Sequence, residues 1–163
     1  MHRLALPALA LLACAHLGPP AALGERPALV VETLDGERRA LGGPGPVRLV
    51  EVWATWCVPC APAGERARGV LARHPSVVAY AVALDADREA VRRRLATDPP
   101  PGEPFLYPGG AGAAMRRGLG TVPMFIALDA RGRVVGTLVG DAPGLGPALD
   151  RLLREAMGEA GPG

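Results

Sequence analysis

Trp53-Ala-Thr-Trp-Cys-Val-Pro-Cys60 decides how this chain is read: two cysteines, two residues apart, follow an apolar run and open a helical pattern. The thiolate is the reactive form of cysteine, and at a helix N-terminus unpaired backbone N–H groups and the macrodipole stabilise it. Cys57 is the expected nucleophile. Cys60, one helical turn on, lies near enough to close a small disulfide with it and release any partner bound there. The pair can cycle between dithiol and disulfide, so the stretch reads as a redox site.

Upstream of the motif, Val47 to Ala54 is apolar apart from Arg48 and Glu51, the pattern of a central strand buried on both faces. Such a strand delivers Cys57 at its C-terminal end, where open α/β sheets place their ligands. From Cys60 the spacing predicts a helix to about Arg73, with Ala63, Ala67, Val70 and Leu71 inward. Pro59 suits its first turn, whereas Pro62 is expected to distort the start and Gly64 and Gly69 to weaken it. Val77 to Leu84 reads as a second buried strand, and Asp85 or Asp87 as the cap of a helix from Arg88 to Ala96. Thr97 to Pro104 is a Pro-rich loop, Phe105 to Tyr107 a short strand or extended segment, and Ala111 to Leu119 a Gly-broken helix.

Met124 to Leu128 and Val134 to Leu138 pair as a hairpin around Asp129 to Arg133, and Leu145, Leu149, Leu152, Leu153 and Ala156 mark a closing helix. Ala28 to Leu34 and Arg38 to Leu41, joined by Asp35-Gly36, predict an N-terminal hairpin. The fold class is α/β: a mixed central sheet flanked by helices.

With 163 residues, 49% hydrophobic and 21% charged, the chain has room for one well-cored domain, over residues 25–163, and it is expected to act as a monomer. A net charge of +2, 4% aromatics and no basic stripe give nucleic-acid binding no support. All 18 basic residues are Arg, which removes lysine from any mechanism.

Residues 1–24 read as a targeting segment: a basic start at Arg3, an apolar run from Leu4 to Ala13, then Gly18, Pro19 and Pro20. The expected destination is the periplasm or beyond. Leu11-Leu12-Ala13-Cys14 resembles a bacterial lipobox, which would make Cys14 a lipid anchor; the alternative is ordinary cleavage near Ala22-Leu23-Gly24. No stretch of 18 apolar residues follows, so the mature protein is expected to carry no transmembrane segment.

Together with Thr121-Val122-Pro123 downstream, the Trp53 to Cys60 motif resembles the thioredoxin fold, over about Ala28 to Met157. Its wording, the hairpin and the exported start are most similar to the bacterial periplasmic thiol-disulfide oxidoreductases of the TlpA, ResA and CcmG kind, the cytochrome c maturation reductants. The resemblance implies that Cys57 attacks, Cys60 resolves, and Pro123 is a cis-proline facing them, with the backbone of Val122 pairing with a substrate segment. A tight bend at an X-Pro bond exposes the preceding backbone groups, which suits capture of an extended peptide as an added strand. An ordinary trans proline opening an edge strand is the alternative. Trp56 is expected exposed beside Cys57, against partners, and Trp53 in the core.

Glu51, six residues before Cys57 in an apolar strand, resembles the buried acid of thioredoxin itself. Cys60 must lose a proton to attack the mixed disulfide, and a carboxylate whose pKa burial raises can accept it, directly or through water. The plainer reading is a partly exposed acid paired with an Arg. The cytochrome-maturation reductants usually carry Asn there and an acid elsewhere, a role open to Asp85 or Asp87 beside helix capping. His74 reads as a helix-end polar residue, and Arg92-Arg93-Arg94 as a solvated helix face.

The expected activity is a thiol-disulfide oxidoreductase that needs no cofactor, acting on disulfides or dithiols of protein clients such as apocytochrome c, with a membrane partner as electron donor. A disulfide oxidant or isomerase of the same fold is the first alternative, although a large helical insertion of the DsbA kind has no room between Leu84 and Pro123. A metal-binding module is the second. Structural zinc needs four ligands, and the mature chain offers two cysteines and one histidine, so no metal is expected. The peroxidase pattern of Pro and Thr before the cysteine is absent.

Overall fold

The computed structural model describes residues 24–27 and 29–159; the leader with Cys14, and Ala28 at the start of the first hairpin, lie outside them. Eleven elements follow in chain order: β1 (Val30–Glu32), β2 (Arg38–Ala40), β3 (Arg48–Trp53), α1 (Cys60–Leu71), β4 (Val78–Ala83), α2 (Arg88–Thr97), β5 (Glu103–Leu106), α3 (Gly110–Met115), β6 (Met124–Leu128), β7 (Val134–Val139) and α4 (Leu145–Ala156). The strands form one seven-stranded mixed sheet, ordered β2-β1-β5-β4-β3-β6-β7.

β3 is buried along its whole length because it lies inside the sheet, parallel to β4 and antiparallel to β6. Alternation then sorts its side chains. Leu49 joins Phe125, Ala63, Ala67, Val70, Leu149 and Leu153 in a core layer beneath α1 and α4. Val50 and Val52 point the other way, into the layer that holds Val91 of α2 and Ala114 of α3. The N-terminal hairpin is present, with β1 antiparallel to β2 and joined to β5 through Glu32 and Leu106.

One expectation is corrected and two are sharpened. Pro62 does not distort α1: the helix starts at Cys60, so Pro62 is its third residue, where the N–H it lacks would have had no intrahelical partner. Of the two candidate caps, Asp87 is the cap, its side chain accepting from the N–H groups of Glu89 and Ala90, while Asp85 faces elsewhere. Arg92 and Arg93 are exposed as expected, but Arg92 and Arg94 also carry hydrogen bonds. Arg92 donates to the Leu34 carbonyl and to Asp35 in the hairpin turn, and Arg94 donates to the carboxylate and carbonyl of Asp98.

Candidate active site

β3 ends at Trp53, and the chain leaves it in a tight turn in which the Cys57 N–H donates to the Ala54 carbonyl at 3.1 Å. A second turn follows, the Cys60 N–H reaching the Cys57 carbonyl, before α1 begins. Cys57 and Cys60 are joined as a disulfide, with Cα atoms 5.4 Å apart. Both are buried, but their neighbours are not: Trp56 is 59% and Val58 86% exposed. An apolar tip thus flanks the disulfide, as expected for Trp56, and Trp53 sits in the core as expected.

The sheet brings Val122 and Pro123 to this end. Register pairs Val52 with Met124, so Pro123 lies beside the end of β3, and the Val122–Pro123 peptide is cis. The Pro123 carbonyl accepts from Gly140 on the far side. Val122 is half-buried, packs against the core cluster that includes Cys57, and gives neither its N–H nor its C=O to another described backbone group.

Glu51 is 2% exposed, and neither carboxyl oxygen has a hydrogen-bond partner among the described residues. Its strand neighbours, Phe125 and Ala81, bring no charge and no hydrogen bond to offset the loss of water. Burial therefore pushes the carboxyl up from its ordinary 4.5 to about 8, and the Arg68 guanidinium pulls the other way. The surface-pairing alternative fails on this burial. Glu51, Trp53, Cys60, Gly64 and Arg68 line one cavity with room for about one water molecule. Gly64 makes that space: a Cβ there would stand 3.6 Å from Glu51 Oε1 and 3.3 Å from Pro101 Cδ. Among the described residues the Trp53 Nε1–H is also without a partner, and a water in the cavity could serve both groups.

Sequence reasoning missed the role of Asp85. Its carboxylate accepts from the Thr55 N–H at 2.9 Å and from the Thr55 hydroxyl, binding the turn that leads to Cys57. The WATWC wording supplies the hydroxyl, but only strand register shows which acid it meets. His74 lies away from the cysteines, its Nε2 3.0 Å from Asp150, and among the described residues no three His, Cys, Asp or Glu side chains cluster to hold a metal. No described helix is long and apolar enough to cross a membrane.

No family model matches this chain, and no curated protein sequence does. Solved structures do. A candidate thiol:disulfide interchange protein DsbE from Chlorobium tepidum is similar at 24% identity and a TM-score of 0.69, over 82% of this chain and 96% of that one. A secreted Mycobacterium tuberculosis disulfide oxidoreductase, homologous to DsbE of E. coli, is 18% identical with a TM-score of 0.59, over 78% and 96%. A peroxiredoxin-like protein from Aquifex aeolicus is 15% identical with a TM-score of 0.66, over 86% and 91%. At these identities the likeness is one of architecture, and it spans two chemistries. With its central β3, its Cys-X-X-Cys at the head of α1 and its cis-proline before β6, the chain has the thioredoxin fold.

Proposed function

We propose that the protein is an exported thiol-disulfide oxidoreductase whose Cys57 and Cys60 reduce disulfides of protein clients, apocytochrome c being the client class that the resemblance implies. The observation that carries this is the cavity shared by Cys60 and a Glu51 carboxyl raised to about 8, behind a Cys57 flanked by exposed apolar side chains. The Cys57 thiolate attacks one sulfur of the client disulfide and expels the other as a thiolate. Cys60 then gives its proton to Glu51 and attacks the Cys57 sulfur, forming the Cys57–Cys60 bond and releasing the second client thiolate. The client gains the two electrons that the protein loses. Trp56 and the backbone groups of Val122 hold the client segment.

In an oxidising compartment the dithiol must be restored from outside, which calls for a membrane electron donor. The leader provides for export, with either a lipid at Cys14 or simple cleavage, and the domain works as a monomer without cofactor or metal. Replacing Cys60 with Ser and isolating what remains disulfide-linked to Cys57 tests the reading. A trapped protein with a Cys pair supports it, and recovery of no linked partner overturns it.

The neutral state of Glu51 favours one second reading, an oxidant or isomerase. A client thiolate attacking Cys57 expels Cys60 as a thiolate, which a protonated Glu51 can neutralise. A reduction potential in the range of strong oxidants would select that direction.

A further inference from the structure

We propose that Asp85 is a positioning residue for the nucleophile: its carboxylate clamps Thr55 and so fixes the turn that presents Trp56 and Cys57. The clamp rests on the reading of Cys57 as the attacking thiol.

The geometry is two-pronged. One oxygen of Asp85 takes the Thr55 N–H and the other the Thr55 hydroxyl, across 30 residues of sequence. Hydrogen bonds to a carboxylate are stronger than neutral ones, and two bonds to a single residue restrain orientation as well as distance. Thr55 is the first inner residue of the turn that closes with the Cys57 N–H on the Ala54 carbonyl. Holding Thr55 therefore holds the exposed indole of Trp56 and the backbone of Cys57 together.

Asp85 is itself well anchored. The preceding Leu84 N–H donates to the Trp53 carbonyl, extending the parallel pairing of β3 and β4 by one bond. On its other side α3 seats closely on the same segment: a Cβ at Gly110, where φ is +63°, would stand 3.2 Å from the Leu84 carbonyl oxygen and 3.5 Å from the Ala86 nitrogen. The clamp thus runs from a well-paired strand end to the turn that carries Cys57.

This matters most in the dithiol. In the disulfide form Cys57 is tied to Cys60 and through it to α1. Reduction cuts that tie, whereas the bonds from Thr55 to Asp85 involve no sulfur. The clamp persists, with the backbone bonds of the two turns, in the form that must attack a client sulfur in line.

The test compares the reduced wild type with Asp85→Ala, Asp85→Asn, Thr55→Val and the Asp85→Ala/Thr55→Val double variant. Two rates are read: alkylation of Cys57 by iodoacetamide, which has no orientational demand from a client, and reduction of an oxidised Cys-X-X-Cys peptide. Asp85→Ala and Thr55→Val are each expected to slow peptide reduction about tenfold while alkylation stays within about twofold. Asp85→Asn keeps an acceptor for the N–H and a donor for the hydroxyl, and is expected within about threefold of wild type. The double variant should be no slower than the slower single one, since both break one unit.

Wild-type peptide rates in Asp85→Ala, additive losses in the double variant, or a folded Asp85→Asn as slow as Asp85→Ala would each overturn the clamp. If the wild type itself does not reduce the peptide, the functional reading fails. The clamp is then judged by amide hydrogen exchange at Thr55 in the dithiol form, expected about tenfold faster in Asp85→Ala and overturned by equal rates.

Discussion

Glu51 on β3 and Cys60 at the head of α1 line one cavity, and no described protein atom hydrogen-bonds the Glu51 carboxyl. A carboxyl raised to about 8 is mostly neutral at pH 7, so only a minor fraction is ready to accept a proton from Cys60 at that pH. The resolving step, followed as release of a peptide thiol from Cys57, should accelerate as pH rises from 6 to 9. In Glu51→Gln it should run about tenfold or more slower near pH 8 and lose that rise, with alkylation of Cys57 nearly intact. Unchanged turnover in Glu51→Gln would remove the proton-acceptor role.

The same carboxyl makes stability fall with pH. Its folded pKa of about 8 exceeds the ordinary 4.5, so the folded state holds a proton that the unfolded state has lost across that window. Unfolding free energy therefore declines as pH rises from about 4.5 to about 8 and levels above it, by up to about 5 kcal/mol from this group. Urea unfolding of the oxidised protein at pH 5 and pH 9 reads the slope, and Glu51→Gln should flatten it.

Two glycines should respond to alanine with opposite signs. Gly69 lies in α1 with nothing within 4 Å of a would-be Cβ, so Gly69→Ala should stabilise by about 0.5–1 kcal/mol. At Gly132 φ is +74° and the Cβ would fall 2.2 Å from the Gly43 carbonyl oxygen, so Gly132→Ala should destabilise by about 2–4 kcal/mol. Thermal unfolding of the two variants distinguishes them directly.

Asp150 gathers His74 and Arg73 from beyond the end of α1 and Arg154 from its own helix. The hydrogen bond from His74, then that from Arg73 and the nearby guanidinium charges, hold its carboxyl below the ordinary 3.8. A lowered pKa stabilises the fold above the unfolded value, and that contribution is lost as pH falls below about 3.8. Because both arginines are half-exposed, Asp150→Asn should cost only about 1 kcal/mol at neutral pH, and less at high salt. Denaturation in 0.05 M and 1 M salt measures both effects.

The order of elements was legible because hydrophobic spacing switches cleanly between strand and helix periods around Cys57 and again around Gly140. Glu51 stood out for a related reason: an ionisable group in the middle of an apolar strand can be read without knowing its neighbours. Asp85 could not be told from Asp87 that way. Both are acids in one loop, and the register that seats Asp85 against Thr55 depends on β3 pairing with β4. The partner of Arg92 was hidden for the same reason, since the Leu34 carbonyl lies 58 residues away in the hairpin turn. Pro62 was misjudged although the start at Cys60 was read correctly: as the third residue of α1 it still stands among those whose N–H has no intrahelical partner.

The chain enters the domain at the end of the sheet that lies away from the cysteines. The Gly24 N–H donates to the Val134 carbonyl, and the Val134 N–H to the Glu25 carbonyl. Val134 pairs with Leu128, and Leu128 with Arg48, the first residue of β3. Cys57 follows the last residue of that strand, roughly 17 Å further along at the usual rise per residue. The apolar tip at Trp56 and Val58 therefore lies at the opposite end of the sheet from Gly24 and Glu25, so a protein meeting that tip has the whole length of β3 between it and the first described residues.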